Sequence, residues 1–150
     1  MKKIIALFAV VLLLSCSKDD GDSTLPVTYQ NLIGKWNYKS IIRTNGTIVP
    51  YNRICTTTAN WMEILPNTRI TTYNYHPNCV DVYNYGCNYF TIYSETNTLY
   101  TPDDGIFKES TVKNLTATGF TLEFKETEDL NYYGQNVTDA KAYIFERQQN

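Results

Sequence analysis

Histidine is nearly missing from this chain of 150 residues, with His76 as its only example. That scarcity removes the side chain most often used as acid, base or nucleophile activator near neutral pH. His76 lies in Tyr75-His76-Pro77-Asn78, a turn sequence, and no Gly-x-Ser-x-Gly surrounds Ser40, Ser94 or Ser110 to expose a nucleophile. A Cys-x-x-Cys pair is also missing, so Cys55, Cys79, Cys87 and His76 do not have the spacing of zinc ligands. Glycine-rich phosphate loops are absent. The aspartates between residues 17 and 24 have neither the regular spacing nor the downstream glutamate of a calcium loop. Two carboxylate clusters have simpler explanations: Asp103-Asp104 belongs to a Thr-Pro-Asp-Asp-Gly turn, and Glu126-Thr127-Glu128-Asp129 reads as solvated loop. No catalytic residue, no metal and no cofactor are expected, and the chain is not read as an enzyme.

Clustered positive charge is lacking as well. Lys35, Lys39, Arg43, Lys108, Lys113, Lys125, Lys141 and Arg147 are scattered, which leaves no electrostatic footprint for nucleic acid. Long apolar runs are limited to one, Ile4 to Leu14, preceded by Lys2-Lys3 and closed by Leu13-Leu14-Ser15-Cys16. As a helix this run would span only about 16 Å, roughly half the hydrocarbon thickness of a bilayer, so it is not a permanent transmembrane anchor. The block resembles a bacterial lipoprotein signal, cut before a cysteine that then carries fatty acids such as palmitate. The resemblance implies that residues 1–15 are removed, that Cys16 is the lipidation site, and that the lipid on Cys16 holds the protein on a membrane. Ser17-Lys18-Asp19-Asp20-Gly21-Asp22-Ser23-Thr24 has nothing apolar to bury, so residues 16–28 are read as the acylated cysteine and a flexible acidic tether. The acidic run is similar to the surface-export signal of Bacteroidetes lipoproteins, which implies an outer-membrane location, facing the cell surface if that signal operates. Loss of Lys2 and Lys3 lowers the 13 basic residues to 11 against 15 acidic ones, so the mature chain is mildly acidic.

Runs of helix-forming residues are sparse, and thirteen tyrosines, many threonines and frequent Asn or Gly breaks stand in their place. Residues 29–150 therefore read as one antiparallel β domain, within the usual single-domain size range. Trp36, Tyr38, Ser40 and Ile42 share one parity, and Asn45-Gly46 after them is a hairpin signal because both residue types accept positive φ. Trp61 to Leu65, a Pro66-Asn67 turn and Arg69 to Tyr75 make a second hairpin. Tyr89 to Ser94, Thr98 to Thr101, Glu109 to Leu115, Gly119 to Lys125 and Ala140 to Arg147 follow as strands. Phe120, Leu122 and Phe124 alternate with Thr121, Glu123 and Lys125. Glu126 to Gln135 has no period and reads as a rim loop with Tyr132-Tyr133-Gly134 at its tip. The expected architecture is a small up-and-down β-barrel of about eight strands, because closure removes exposed edges; a two-sheet β-sandwich is the alternative.

Leu32-Ile33-Gly34-Lys35-Trp36 at the start of the domain resembles the Gly-x-Trp opening of lipocalins, and Tyr143-Ile144-Phe145-Glu146-Arg147 at its end is similar to their last strand. The likeness is nearest to the short lipocalin-like domains of Bacteroidetes lipoproteins. It implies that Gly34, Trp36 and Arg147 close one end of the barrel, with the arginine across the indole face. It also implies a disulfide from the start of the second strand to a loop about two dozen residues on, which fits Cys55 with Cys79; Cys87 stands as an alternative partner for Cys55.

The tyrosines leave two functional readings open. Tyr73, Tyr75, Tyr83, Tyr85, Tyr89 and Tyr93 crowd one region, and rings with a hydroxyl suit sugars, peptides or ring-shaped metabolites. They equally pair across strands and cover a barrel wall. Tyr73, Tyr75, Tyr89, Phe90, Ile92, Phe120, Leu122 and Phe124 are the candidate ligand-binding residues of a carrier for a small hydrophobic or aromatic ligand. In the other reading an eight-stranded barrel is filled by its own side chains and serves as a monomeric structural or protein- or glycan-interaction module.

Overall fold

The computed structural model describes residues 23–102, 108–131 and 134–149, and only the backbone of 85–88. The signal segment 1–15, Cys16, tether residues 17–22, Asp103-Asp104, Tyr132 and Tyr133 lie outside the described residues, as do the side chains of Tyr85 and Cys87.

The domain begins before residue 29. Leu25 and Val27 pack on the core, Leu25 N–H donates to Leu115 O at 2.7 Å, and Thr28 caps a single helical turn, α1 (Tyr29–Leu32). Ten strands follow among the described residues: β1 (Gly34–Arg43), β2 (Ile48–Pro50), β3 (Trp61–Leu65), β4 (Arg69–Tyr75), β5 (Val82–Tyr89), β6 (Thr91–Tyr93), β7 (Thr98–Tyr100), β8 (Glu109–Lys113), β9 (Gly119–Glu128) and β10 (Ala140–Arg147). All their ladders are antiparallel.

The hydrogen-bonded order is β5-β4-β3-β1-β10-β9-β8-β7-β6, with β2 attached to β1. The two ends of this path, β5 and β6, are separated in the chain by Phe90 alone. One backbone run thus meets β4 along its first part and β7 along its last, and the sheet curls back on itself. Counting β5 and β6 as one run and β2 as an annex of β1 leaves eight positions around the curl. The fold is an all-β, up-and-down, barrel-like meander.

Turn chemistry sets its hairpins. Gly46 takes φ +83 between β1 and β2, while the Asn45 side chain accepts from Thr47 N at 2.9 Å. Thr68 at φ +61 lies in the turn joining β3 to β4. Three local departures from the sequence pattern have physical causes. A bulge between Tyr38 and Ser40 flips the parity of β1, so Ile41 rather than Ile42 enters the core after Trp36 and Tyr38. β5 forms across Val82–Tyr89, where Tyr83, Tyr85 and Tyr89 alternate with Asn84, Gly86 and Asn88, residue types depleted in strands that mask the alternation. β9 continues to Glu128 because it still pairs with Ala140, so the late loop starts at Asp129 rather than Glu126.

Candidate functional site

The end where the chain enters is sealed by a small set of polar contacts around an indole. Trp36 is fully buried and donates Nε1–H to Leu32 O at 2.8 Å. The Arg147 guanidinium lies 4.0 Å from its ring centroid. Arg147 also donates to Ile33 O and Asn31 O at 2.9 Å each, and to Ala117 O at 2.8 Å, tying α1, β1 and the β8–β9 turn together. A cation over an indole contributes about 0.5–2 kcal/mol according to its desolvation; that same burial lowers the Arg147 pKa. Gly34 sits at φ +137, and a Cβ there would stand 2.7 Å from Arg147 Nη1. A glycine two residues before Trp36 is what lets the arginine reach the ring.

From that seal an aromatic column fills the interior. Phe120 meets Trp36 edge-on at 4.8 Å and stacks on Phe145 at 4.9 Å. Phe145 lies 4.8 Å from Tyr38, which stacks on Tyr51 at 4.8 Å. Tyr143 contacts Tyr38 at 5.1 Å and Phe124 at 5.2 Å. Leu122 is wholly buried beside them. Burial pushes the Tyr51 phenol pKa up, opposed by its hydrogen bond with Asn60. At the far end the segment after β9 folds over the column: Leu130 and Val137 are buried, and Gln135 holds the Asn52 backbone through its Oε1 at 2.7 Å and Nε2 at 3.1 Å. Phe90 is buried and Ile92 packs half-buried against the same core. The candidate ligand residues Phe90, Ile92, Phe120, Leu122 and Phe124 are therefore placed as packing.

Tyr73 and Tyr75 are placed elsewhere, on the outer wall. In β3 Met62 and Ile64 face the core, which turns Trp61, Glu63 and Leu65 outward. Trp61 pairs directly with Tyr73, and their rings stack at 4.7 Å with an 11° tilt. Tyr75 approaches Trp61 at 5.9 Å and 60°. Lys35, on neighbouring β1, holds its ammonium 5.9 Å from the Trp61 ring. Asn37 is the β1 partner of Trp61, Glu63 the β3 partner of Lys35, and Asn84 the β5 partner of Tyr73. The Trp61 Nε1–H is shielded from solvent and has no hydrogen-bond partner among the described residues. Tyr89, at 61% exposure, stands apart with Arg69 5.4 Å over its ring. Trp61 was not singled out by sequence reasoning because the run Trp61-Met62-Glu63-Ile64-Leu65 is apolar at both parities; the hairpin turn at Pro66-Asn67, which sets Trp61 opposite Tyr73, was the available signal.

Beyond this face the disulfide Cys55–Cys79 bridges the loop before β3 to the β4–β5 turn. His76 in that turn is exposed and packs on Tyr83 with ring centroids 4.5 Å apart. Near the late loop, burial raises the Glu128 pKa, with Glu126 adding like-charge repulsion. No three His, Cys, Asp or Glu side chains converge as a metal site would require among the described residues. An open groove of about 360 Å³ runs between the incoming segment and β8, lined by Leu25, Val27, Val112, Lys113 and Leu115 among others. None of the candidate ligand residues lines it.

No family model matches the chain, and no curated protein matches it in sequence.

Proposed function

We propose that this protein is a lipid-anchored lipoprotein of lipocalin-like type that acts as a non-enzymatic interaction module through its outer surface rather than as a carrier of an enclosed ligand. One observation carries the reading: the aromatic column from Trp36 through Phe120, Phe145 and Tyr38 to Tyr51 occupies the interior where a carrier would hold its cargo. A packed interior of this kind has densities like those of organic crystals, and opening it for a ligand forfeits those contacts. The Trp36–Arg147 seal beside Gly34 supports the lipocalin-like assignment. The lipobox ending at Cys16 supports membrane attachment, and the acidic run after it supports outer-membrane or surface placement.

Thermal unfolding of the full chain in micelles, against fatty acids, sterols, haems and flavins, tests the filled interior. A ligand bound to the native state alone at about a hundredfold excess over Kd adds about 2.7 kcal/mol, a rise of several degrees. The expected response is flat; a saturable rise, or an apolar compound extracted from the purified protein, makes it a carrier instead. Attachment is checked by palmitate labelling of producing cells, which Cys16→Ser abolishes if Cys16 is the acylated residue.

A further inference from the structure

We infer that the outer face of β3 and β4 is a carbohydrate-binding surface, with Trp61 and Tyr75 as its contact residues and Tyr73 as the ring that holds Trp61 in place. The inference rests on the reading that this protein works through its exterior, and it names the partner. Three rings on the outer wall are not explained by the core, which Met62, Ile64 and Ile70 already supply from the opposite face of the same strands. Trp61, Tyr73 and Tyr75 are each half-buried, wrapped by one another yet still reaching solvent. The Trp61–Tyr73 stack fixes the indole without a covering element.

The chemistry around the rings selects a sugar over other occupants. A pyranose offers apolar C–H faces and a belt of hydroxyls, so it needs aromatic surface beside both donors and acceptors. Lys35 and Glu63 supply a donor and an acceptor on adjacent strands, and Asn37 and Asn84 supply amides that do both. Among the described residues of this face aliphatic side chains are few, Leu65 at one end of β3 and Val82 opposite Tyr75. A lipid or an apolar protein surface would ask for the reverse composition. A proline-rich peptide would need a slot between parallel rings, and the 4.7 Å Trp61–Tyr73 stack leaves none.

The test is titration of the purified full chain, in a detergent without a sugar headgroup, with cellohexaose, maltohexaose and chitohexaose. Of the two tryptophans Trp36 is wholly buried, so a fluorescence change reports Trp61. The expected result is a saturable change with at least one oligosaccharide, with a Kd of about 1 mM or tighter. Tyr75→Ala weakens it about tenfold, and Tyr93→Ala on β6 leaves it unchanged. Calorimetry on Trp61→Ala gives a loss of similar size, and Tyr75→Phe, which keeps the ring and the fold, gives a smaller loss from the missing hydroxyl. Three outcomes overturn the inference: no saturable response to any of the three at about 10 mM; binding indifferent to Trp61→Ala, Tyr75→Ala and Tyr75→Phe; or saturation by a polyproline peptide in place of the sugars. None of these touches the filled interior, which only uptake of an apolar ligand refutes.

Discussion

Gly34→Ala is the substitution that tests the seal most directly, because two separate penalties meet there. The first is conformational: φ +137 lies where an L side chain is strained, at about 1–3 kcal/mol. The second is steric. The new Cβ would stand 2.7 Å from Arg147 Nη1, and although that atom ends a flexible side chain, it is held by donation to Ile33 O while its neighbours bind Asn31 O and Ala117 O. Moving it gives up the position over Trp36, about 0.5–2 kcal/mol, and weakens those hydrogen bonds. The two penalties together predict a loss of about 2–4 kcal/mol. For a domain of this size that corresponds to a fall in Tm of roughly 6–16 °C. Urea unfolding followed by tryptophan fluorescence and far-ultraviolet circular dichroism measures it. The decisive comparison is a double-mutant cycle: in an Arg147→Ala background the steric penalty vanishes and only the backbone strain remains. Gly34→Ala should then cost about 1–2 kcal/mol less than it does in the native chain. A loss under about 0.5 kcal/mol, or strict additivity of the two substitutions, refutes the account of why glycine stands before Trp36.

Two further predictions concern the rest of the frame. Glu123 is bonded by Lys113 and flanked by Lys141 at 3.6 Å, and the Lys113 hydrogen bond in particular holds its pKa below the ordinary glutamate value. A lowered folded-state pKa means that the stabilisation is present above the unfolded-state pKa and lost as pH falls through the folded one. Glu123→Gln should therefore be less stable than the native chain at pH 7, with the difference shrinking as pH falls through the lowered Glu123 pKa; a pH-independent difference in urea midpoints contradicts the ion-pair origin. Cys55–Cys79 closes a sequence separation of 24 residues, worth about 3–4 kcal/mol in the chain-entropy account. Paired Cys55→Ser and Cys79→Ser substitutions should lower stability by about that amount, and peptide mapping of the oxidised chain should recover these two residues in one fragment.

How far the sequence reaches is clear from single elements. Ala140–Arg147 and Trp61–Leu65 were legible because their turns and apolar patterns bound them on both sides. Gly119 begins β9 where the alternation of Phe120, Leu122 and Phe124 places it, and those three side chains are buried as their parity requires. β5 was harder to read, since its tyrosines alternate with Asn84, Gly86 and Asn88, residue types depleted in strands, and pairing with β4 keeps the run extended. The bulge after Tyr38 is likewise a property of the β1–β10 ladder, where one extra residue on β1 reverses the face of everything after it.

Period-two alternation divides a strand into two faces but carries no sign and no depth. By itself the sequence determined that this is a mildly acidic, tyrosine-rich antiparallel β domain with hairpins at Asn45-Gly46 and Pro66-Asn67, without a Cys-x-x-Cys or Gly-x-Ser-x-Gly spacing. Only the tertiary structure decided that the tyrosines divide. Tyr38, Tyr51 and Tyr143 go into the filled column, while Tyr73 and Tyr75 lie outside around Trp61. Tertiary structure likewise chose Cys79 as the partner of Cys55, at a Cα–Cα distance of 5.6 Å. Whether a ring is core or surface depends on which way its strand curls and on what lies across the interior, and both are set by pairings between residues far apart in the chain.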